Sequence, residues 1–300
     1  MLIIRGLSKT YNNGIQALQN VSLEIEPGIF GLLGPNGAGK SSLMRTLATL
    51  QDADSGSVQL DGVDLLSSPQ VARQLLGYLP QDFGVYPHVS AEELLNQLAV
   101  FKGFVNPKER KEIVSQQLQL VNLYSQRQQK LGTFSGGMRQ RFGIAQALLG
   151  SPKLIIVDEP TAGLDPTERI RFQNLLAEIS QNRVLLLSTH IVEDVAELCP
   201  QMAILNQGKI VCSGSPKLLT NALQGKVWKK VFDDFKVSNS SDNQSNNWGL
   251  ITSRMSRGAR CIRVLSDSQP DAGFQMTEPD LNDVYFTALL DQSQAEPVTV

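Results

Sequence analysis

The sequence has few cysteines, few aromatic residues and no long apolar segment, and each shortage narrows the functional class. Three cysteines occur in 300 residues, and their odd number and wide spacing argue against a disulfide framework or a cysteine-ligated metal site. We expect Cys199, Cys212 and Cys261 to be reduced and buried in a cytosolic protein. No apolar run approaches the roughly 18 residues that a membrane span needs. The apolar N-terminal patch is also too short for a signal peptide.

The chain also lacks a strong charge imbalance. Its formal net charge is −2, which argues against a nucleic-acid-binding surface, because such surfaces are normally basic. With 41% hydrophobic and 19% charged residues, the composition is that of an ordinary globular protein. A length of 300 residues allows one large domain or two modest ones.

What the sequence does contain is a glycine-rich turn directly after an apolar strand. GPNGAGKSS at 34–42 follows GIFGLL at 28–33 and fits the pattern G-x-x-x-x-G-K-[ST]. Glycines let backbone N–H groups converge on one anion, and a helix beginning near Lys40 adds the positive end of its dipole. The pattern predicts that Lys40 reaches the β- and γ-phosphates and that the Ser41 hydroxyl lies on Mg²⁺. The residues expected around the phosphates are Gly34, Pro35, Asn36, Gly37, Ala38, Gly39, Lys40, Ser41 and Ser42.

Alternating strand and helix patterns around this turn predict an α/β core with a mostly parallel sheet. The first two strands, separated by a turn at 12–14, predict an antiparallel N-terminal β part. Strands are expected at 2–5, 22–25, 28–33, 57–62, 76–80, 153–157, 184–188, 202–205 and 209–214. Helices are expected from Lys40 and over 69–75, 165–181 and 191–199.

Strand signals disappear between residues 82 and 150, and helical signals replace them. Ser90 and Glu93 form a capping box that opens one helix. Asn-Pro at 106–107 opens a second helix, and Ser135 precedes a third. We interpret residues 82–150 as a helical subdomain inserted into the α/β core.

The pattern changes again after the core. A low-complexity segment at 238–247 is expected to be a mobile loop. A helix is predicted over 278–290, with a disordered tail after it. Further strands are expected at 225–232, 249–254 and 259–266, the last two as a hairpin. The prediction is a domain of residues 1–220 followed by a small α+β appendage of residues 221–300.

Two carboxylates follow the apolar strand 153–157, at the sheet edge where ligands of open α/β folds bind. Asp158 can hold Mg²⁺, and Glu159 can orient or deprotonate an attacking water. A solvated charge pair closing a strand is the alternative. Two further strands end at the same edge, where Gln81 can meet the metal or the water and His190 can donate to a phosphate. Glu159 is the better base, since a carboxylate is ionised at neutral pH whereas histidine must be kept neutral.

A second anion-binding pattern is FSGGMRQR at 134–141. Ser135, Gly136 and Gly137 at a helix start expose several N–H donors and a hydroxyl to one anion. A simple helix cap would need the serine but not both glycines. We therefore expect all three residues to contact a phosphate.

Taken in order, these motifs resemble the nucleotide-binding subunit of an ABC transporter over roughly residues 1–220. In that family GPNGAGKS is Walker A, Gln81 the Q-loop, FSGGM the signature and His190 the switch histidine. LIIVDE at 154–159 is Walker B. The signature has Phe134 and Met138 where Leu and Gln are commoner, but its Ser-Gly-Gly is intact.

The resemblance adds two residues that no pattern singles out alone. It makes AGLD at 162–165 the D-loop, so Asp165 joins the nucleotide-binding set. It also makes Tyr11 the aromatic that stacks on adenine, although an isolated aromatic at such a position is more often a packing residue. An intact Glu159 and His190 argue against a non-hydrolysing scaffold.

The fold implied is a P-loop NTPase, RecA-like core with an inserted helical subdomain, and the implied activity is hydrolysis of ATP with Mg²⁺. In similar proteins the signature motif reaches the γ-phosphate of ATP held by a second subunit, so two ATPs lie in a head-to-tail dimer. The second subunit would be another copy or a paralogous ATPase.

The implied partner is an integral-membrane permease, which would hold the chain at the cytoplasmic face of the inner or plasma membrane. The docking groove would involve 82–95, where Tyr86 and His88 either contact the permease or pack the subdomain. The segment TEPDLNDVYFTALL at 277–290 resembles the C-terminal helix of the exporter branch for drugs, antibiotics or polysaccharides. An importer ATPase and a non-transport ABC ATPase remain the alternatives. No nucleic-acid partner is expected.

Overall fold

The computed structural model describes residues 1–232, 249–256 and 258–293. The chain divides into two compact units, Met1–Ile210 and Val211–Val300. The predicted domain division at residues 220 and 221 stays a prediction. Within the described residues, no helix has the length and apolar composition needed to cross a bilayer.

The first unit alternates strands and helices, as the sequence pattern predicts. The strands that begin in it are β1 (Leu2–Thr10), β2 (Gln16–Ile25), β3 (Gly28–Leu33), β4 (Ser55–Leu60), β5 (Val63–Asp64), β6 (Leu76–Leu79), β7 (Leu154–Asp158), β8 (Val184–Thr189), β9 (Gln201–Asn206) and β10 (Lys209–Gly214). Its helices are α1 (Lys40–Leu47), α2 (Pro69–Leu75), α3 (Ala91–Phe101), α4 (Pro107–Leu120), α5 (Gly136–Ala147), α6 (Pro166–Ile179) and α7 (Val192–Leu198).

A six-stranded sheet in the order β10-β9-β3-β8-β7-β6 forms the centre of this unit. β3 pairs in parallel with β8 and β9, and β7 pairs in parallel with β6 and β8. Every residue of β7 and β8 is buried, which explains their continuous apolar sequences. The parallel sheet predicted from the alternating pattern is confirmed, and it brings the carboxyl ends of four adjacent strands, β3, β8, β7 and β6, to one edge.

A second sheet, in the order β2-β1-β4-β5, is antiparallel and confirms the predicted N-terminal β part. Its first two strands are longer than predicted, because bulged pairing continues to Thr10 opposite Gln16. Helix α1 buries Leu43, Met44 and Leu47 in a core shared by both sheets.

The insertion between β6 and β7 contains α3, α4 and α5 and no strand, as predicted for residues 82–150. The capping box is also confirmed. Ser90 Oγ accepts from the Glu93 backbone N–H at 3.3 Å, and the Glu93 carboxylate accepts from the Ser90 N–H at 2.9 Å. Asn106 caps α4 by accepting from Lys108 N at 3.0 Å.

The second unit is a small α+β structure. Its elements are α8 (Pro216–Asn221), β11 (Val227–Phe232), β12 (Gly249–Ser256), β13 (Ala259–Leu265), β14 (Gln275–Met276) and α9 (Leu281–Ser293). The strands form an antiparallel sheet in the order β12-β13-β11-β14, around a core of Trp228, Val264 and Phe274. The predicted hairpin is confirmed, whereas α8 and β14 escaped the sequence analysis.

The segment 238–247 lies outside the described residues, as does the end of the predicted tail, 294–300. The helix predicted over 278–290 is α9, Leu281–Ser293, which begins and ends three residues later than predicted. Cys199 and Cys261 are buried as expected, whereas Cys212 is only half-buried.

Candidate active site

A cavity of about 950 Å³ opens where four adjacent strands of the first unit end. The glycine-rich turn follows β3, Gln81 follows β6, Glu159 follows β7 and His190 follows β8. All of these line the cavity, so the structure brings together residues that the sequence placed at one edge only by inference. Further lining residues that the sequence analysis did not single out are Asn13, Ile15, Gln16, Ala17, Gln19, Ala162, Gln207 and Gly208. They belong to strand ends and turns that are distant in sequence from the glycine turn and lie beside it only in the folded chain.

The glycines of the turn are required for more than one reason. A Cβ on Gly34 would lie 2.3 Å from the Leu205 carbonyl oxygen, and a Cβ on Gly39 would lie 2.3 Å from that of Ala17. Both positions therefore demand glycine because neighbouring backbone is too close. Gly37 has φ 81° with open space around it, which fits a role in the turn conformation itself.

Lys40 is buried, with 6% of its side chain exposed, and its amino group points back into the turn. Nζ donates to the carbonyl oxygens of Gly34 at 2.6 Å and Pro35 at 3.1 Å, and lies 3.9 Å from Glu159 Oε1. Burial lowers the pKa of Lys40, and the carboxylates of Glu159 and Asp158 oppose that shift. A cation held at the mouth of a glycine turn is the arrangement that a phosphate group requires.

The Glu159 carboxylate is contacted by side chains that follow two other strands of the sheet. Its Oε1 lies 3.1 Å from Nδ1 of His190, and its Oε2 accepts from Gln81 Nε2 at 3.3 Å. The residue has φ 46°, an uncommon left-handed conformation, and its N–H donates to the Ser188 carbonyl at 2.8 Å. Backbone strain of this kind costs about 1–3 kcal/mol and is concentrated at functional sites.

Asp158, at the end of β7, is 5% exposed, and this burial raises the pKa of its carboxyl group. Unlike Ser41 and Gln81, Asp158 is not among the described residues that line the cavity, and neither are Gly34 and Ala38. Together Ser41, Asp158 and Gln81 carry the hydroxyl, carboxylate and amide oxygens that Mg²⁺ prefers. The donor chemistry therefore fits the predicted metal.

Tyr11 lines the cavity and is 36% exposed. Its hydroxyl lies 2.9 Å from Ser42 Oγ and donates to Gln51 Oε1 at 3.1 Å. The hydroxyl thus contacts α1 at Ser42 and the segment after α1 at Gln51. The predicted stacking of adenine on Tyr11 stays a prediction.

The signature residues lie elsewhere. Ser135 Oγ accepts from Met138 N at 3.2 Å and caps α5, while Asp165 Oδ1 accepts from Glu168 N at 2.9 Å and caps α6. Neither residue is among the described residues that line the cavity, and the same holds for Gly136 and Gly137. Their predicted contact with nucleotide stays a prediction.

The two signature glycines differ in their surroundings. A Cβ on Gly136 would meet open space, whereas a Cβ on Gly137 would lie 2.2 Å from Glu168 Oε2. Both glycines are predicted to bind an anion, but at Gly137 the close approach of the Glu168 side chain also favours glycine. Glu168 was missed, and the paired glycines were the only sequence sign of a close neighbour.

A second cavity of about 580 Å³ lies between α2, α3 and α5. It is lined by the cationic side chains of Arg73 and Lys102, and Phe101 beside it is 86% exposed. None of its lining residues falls within 82–95, the segment expected to form a docking groove. Tyr86, at 67% exposed, and the exposed His88 do not fit the alternative in which they pack the subdomain.

Comparison with known sequences points to one family. Residues 18–162 match the family described as ABC transporter. The chain is 36% identical over 229 residues to the uncharacterized ABC transporter ATP-binding protein YxlF of Bacillus subtilis, covering 76% of this chain and 75% of that protein. It is 33% identical over 218 residues to Nod factor export ATP-binding protein I of Burkholderia pseudomallei strain 1710b, covering 72% and 71%.

An import protein is equally similar. The chain is 37% identical over 224 residues to methionine import ATP-binding protein MetN 3 of Shouchella clausii, covering 71% of this chain and 65% of that protein. Two further proteins that match this chain are much longer than it. The match covers 27% of the length of one and 34% of the length of the other.

Among solved structures, the ATP-binding cassette MJ0796 is similar in its dimeric post-hydrolysis state bound to ADP and Pi. The TM-score is 0.65 at 26% identity, with 72% of this chain and 98% of that chain covered.

Proposed function

The chain belongs to the family of ABC transporter ATP-binding proteins, and from that premise we propose how its residues drive transport. As a member it is an ATPase that uses ATP and Mg²⁺. The proposal assigns Glu159 as the group that orients or deprotonates the attacking water. The observation that carries it is the convergence of Lys40, Gln81 and His190 on that one carboxylate, inside the cavity that the glycine turn opens.

The other predicted site residues take the roles that their chemistry supports. Lys40 and the N–H groups of the turn hold the β- and γ-phosphates. Tyr11 supplies a face for adenine. The oxygen ligands for Mg²⁺ are Ser41, Asp158 and Gln81. When bound, the metal neutralises charge that develops on the transferred phosphoryl group.

The active unit is a head-to-tail dimer around two ATP molecules. Ser135, Gly136 and Gly137 lie outside the cavity of their own chain, and the α5 N-terminus beside them suits an anion. They therefore contact the γ-phosphate of ATP held by a second copy or a paralogous ATPase, with Asp165 at the same interface. The dimeric state of the similar cassette supports this arrangement.

The dimer works on a separate membrane permease, which keeps the chain peripheral at the cytoplasmic face. The permease contacts the helical subdomain, where the second cavity and the exposed Phe101, Tyr86 and His88 form the available surface. Export is the direction we propose. The C-terminal helix α9 and the similarity to a Nod factor export protein favour it. Import is the alternative, favoured by the similarity to MetN 3.

The variant Glu159→Gln tests the central assignment. Loss of a general base lowers the rate of ATP hydrolysis by about 10²–10⁴-fold, while ATP binding persists. With Mg-ATP the variant should elute as a dimer in size-exclusion chromatography, and with Mg-ADP as a monomer. Normal turnover by Glu159→Gln would refute the base, and failure to pair with Mg-ATP, alone or with its permease, would refute the sandwich.

Purification of the tagged full chain from its native membranes tests the coupling. We expect a co-purifying integral-membrane protein, and recovery of ribosomes or DNA instead would favour a non-transport ATPase. Reconstitution of the chain with that membrane protein in vesicles then gives the direction. ATP supplied on the side of the chain should drive substrate away from that side if the complex exports.

A further inference from the structure

A carboxylate outside the cavity joins three segments that lead into it. Asp194, on α7, is fully buried at 0% exposure. It accepts hydrogen bonds from Thr161 Oγ1 at 2.6 Å, from Arg169 Nε at 2.9 Å and from Gln173 Nε2 at 2.9 Å. A second Arg169 nitrogen lies 2.8 Å from the same carboxylate. A buried charge needs this density of partners, since an unpaired one is strongly destabilising.

The partners of Asp194 come from functionally distinct places. Thr161, itself 4% exposed, belongs to the short turn that follows Glu159, in which Ala162 N donates to the Glu159 carbonyl. Arg169 and Gln173 lie on α6, the helix capped by Asp165. Asp194 belongs to α7, which begins at Val192, two residues after His190.

The contact between Glu159 and His190 joins two backbone segments, one after β7 and one after β8. The hydrogen bond from Thr161 to Asp194 links the same two segments a few residues further on. The backbone hydrogen bond from Glu159 N to the Ser188 carbonyl joins the segments where the strands end, and the hydrogen bond from Thr161 to Asp194 holds them together beyond that point.

We propose that Asp194 is a positioning residue that acts through Thr161 to hold Glu159 against His190. The proposal rests on the assignment of Glu159 as the group that acts on water. Arg169 on α6 also binds the Asp194 carboxylate. Helix α6, which Asp165 caps, is therefore held in place relative to the segments that follow β7 and β8. No part of this network lines the cavity, and it therefore leaves nucleotide binding to other residues.

Thr161 offers the cleanest test, because the change to Val keeps its shape and removes only the hydroxyl. Misplacement of a catalytic group by about 1 Å costs roughly 10²-fold in rate, so we expect Thr161→Val to lower kcat by about 10- to 100-fold. The KM for ATP should stay within about twofold, and Thr161→Ser, which restores the hydroxyl, should recover most of kcat.

Asp194→Asn should lower kcat in the same way. The double variant Thr161→Val with Asp194→Asn should be no slower than the worse single variant, because both changes break one link. If Asp194→Asn does not fold, the comparison of Thr161→Val with Thr161→Ser decides the matter alone. Folding is checked by thermal unfolding of each full-length variant.

Two controls separate positioning from general stability. Ser180→Ala removes another buried hydroxyl, one at the C-terminal cap of α6 that donates to the Ala177 carbonyl, and should leave kcat unchanged. Glu159→Gln in the same assay tests the assignment beneath the proposal. If Glu159→Gln is inactive while folded Thr161→Val keeps the wild-type kcat, the positioning role of Asp194 is wrong. A rise in KM with unchanged kcat would also overturn it.

Discussion

The Nδ1 atom of His190 lies 3.1 Å from the Oε1 atom of Glu159, and this contact changes the role expected of the histidine. The nearer ring nitrogen of His190 therefore faces the carboxylate that is assigned to act on water, and both residues line the cavity. We propose that His190 orients Glu159, and donation to the γ-phosphate, suggested by its position after β8, is the alternative.

Substitution of His190 should therefore affect turnover more than binding. We expect His190→Ala to lower kcat by about 10- to 100-fold through misplacement of Glu159, with little change in the KM for ATP. His190→Gln can still donate an N–H and should retain more activity than His190→Ala. Steady-state ATPase assays over a range of ATP concentrations separate the two parameters. A large rise in KM with kcat preserved would instead make His190 a phosphate ligand.

The two signature glycines form a matched pair for a second prediction. A Cβ at Gly137 collides with the Glu168 carboxylate, whereas at Gly136 it meets open space. Overpacking of this kind costs about 1–3 kcal/mol, so Gly137→Ala should lower the free energy of unfolding by that amount in urea titrations. Gly136→Ala should unfold nearly as the wild type does.

The collision partner supplies the control for that prediction. Glu168→Ala removes the carboxylate that Gly137 contacts, so adding it to Gly137→Ala should recover part of the lost stability. The measured quantity is the urea midpoint of each variant at constant m-value. Equal destabilisation by Gly136→Ala and Gly137→Ala would show that the Glu168 contact does not set the requirement for glycine.

These glycines also show how far sequence reasoning reaches. The glycine turn, Asp158, Glu159 and His190 could be predicted because each stands at the end of an apolar strand, and parallel strands end at one edge. The contact of Glu168 with Gly137 could not be predicted. It depends on how α5 packs on α6, and no periodicity within either helix encodes that distance.

The same limit applies to Asp194 and Thr161. Each belongs to a segment that was recognised, one after β7 and one after β8, but their hydrogen bond joins residues 33 positions apart. Elements with a local signal, such as the capping box at Ser90, were predicted within a residue or two. Pairings between distant segments depend on the whole packed core, and the sequence pattern carries no measure of them.

Tyr11 gives a prediction about nucleotide affinity. In the Glu159→Gln background, where ATP is not consumed, Tyr11→Ala should weaken ATP binding by about 5- to 150-fold, the loss expected for one base–aromatic stack of about 1–3 kcal/mol. Tyr11→Phe keeps the ring and loses only the hydroxyl contacts with Ser42 and Gln51, so its loss should stay below about tenfold. Isothermal titration calorimetry with Mg²⁺ present measures each dissociation constant.

Inorganic triphosphate is the control ligand for that experiment, because it has the phosphates of ATP but no base. Its affinity should be the same for wild-type Tyr11 and for Tyr11→Ala. A parallel loss of triphosphate and ATP affinity would mean that Tyr11 supports the shape of α1 and the glycine turn, and that its ring does not bind adenine.

In the second unit, Arg263 on β13 is paired with Asp283 on α9. Both are buried, with side-chain exposures of 10% and 1%, and two guanidinium nitrogens donate to the two carboxylate oxygens. Removing Asp283 leaves the buried Arg263 guanidinium with a looser contact to Asp280 at 4.0 Å, and breaking a buried ion pair costs up to about 3–5 kcal/mol. We expect Asp283→Asn to lower the unfolding free energy by about that amount in urea titrations.

Replacing both residues with apolar ones, as Arg263→Met with Asp283→Leu, should lower the unfolding free energy much less. ATP hydrolysis by the folded variants should match the wild type. If the double replacement destabilises the chain as strongly as Asp283→Asn does, the pair contributes through its own attraction, and the cost of an unpaired charge does not explain the loss.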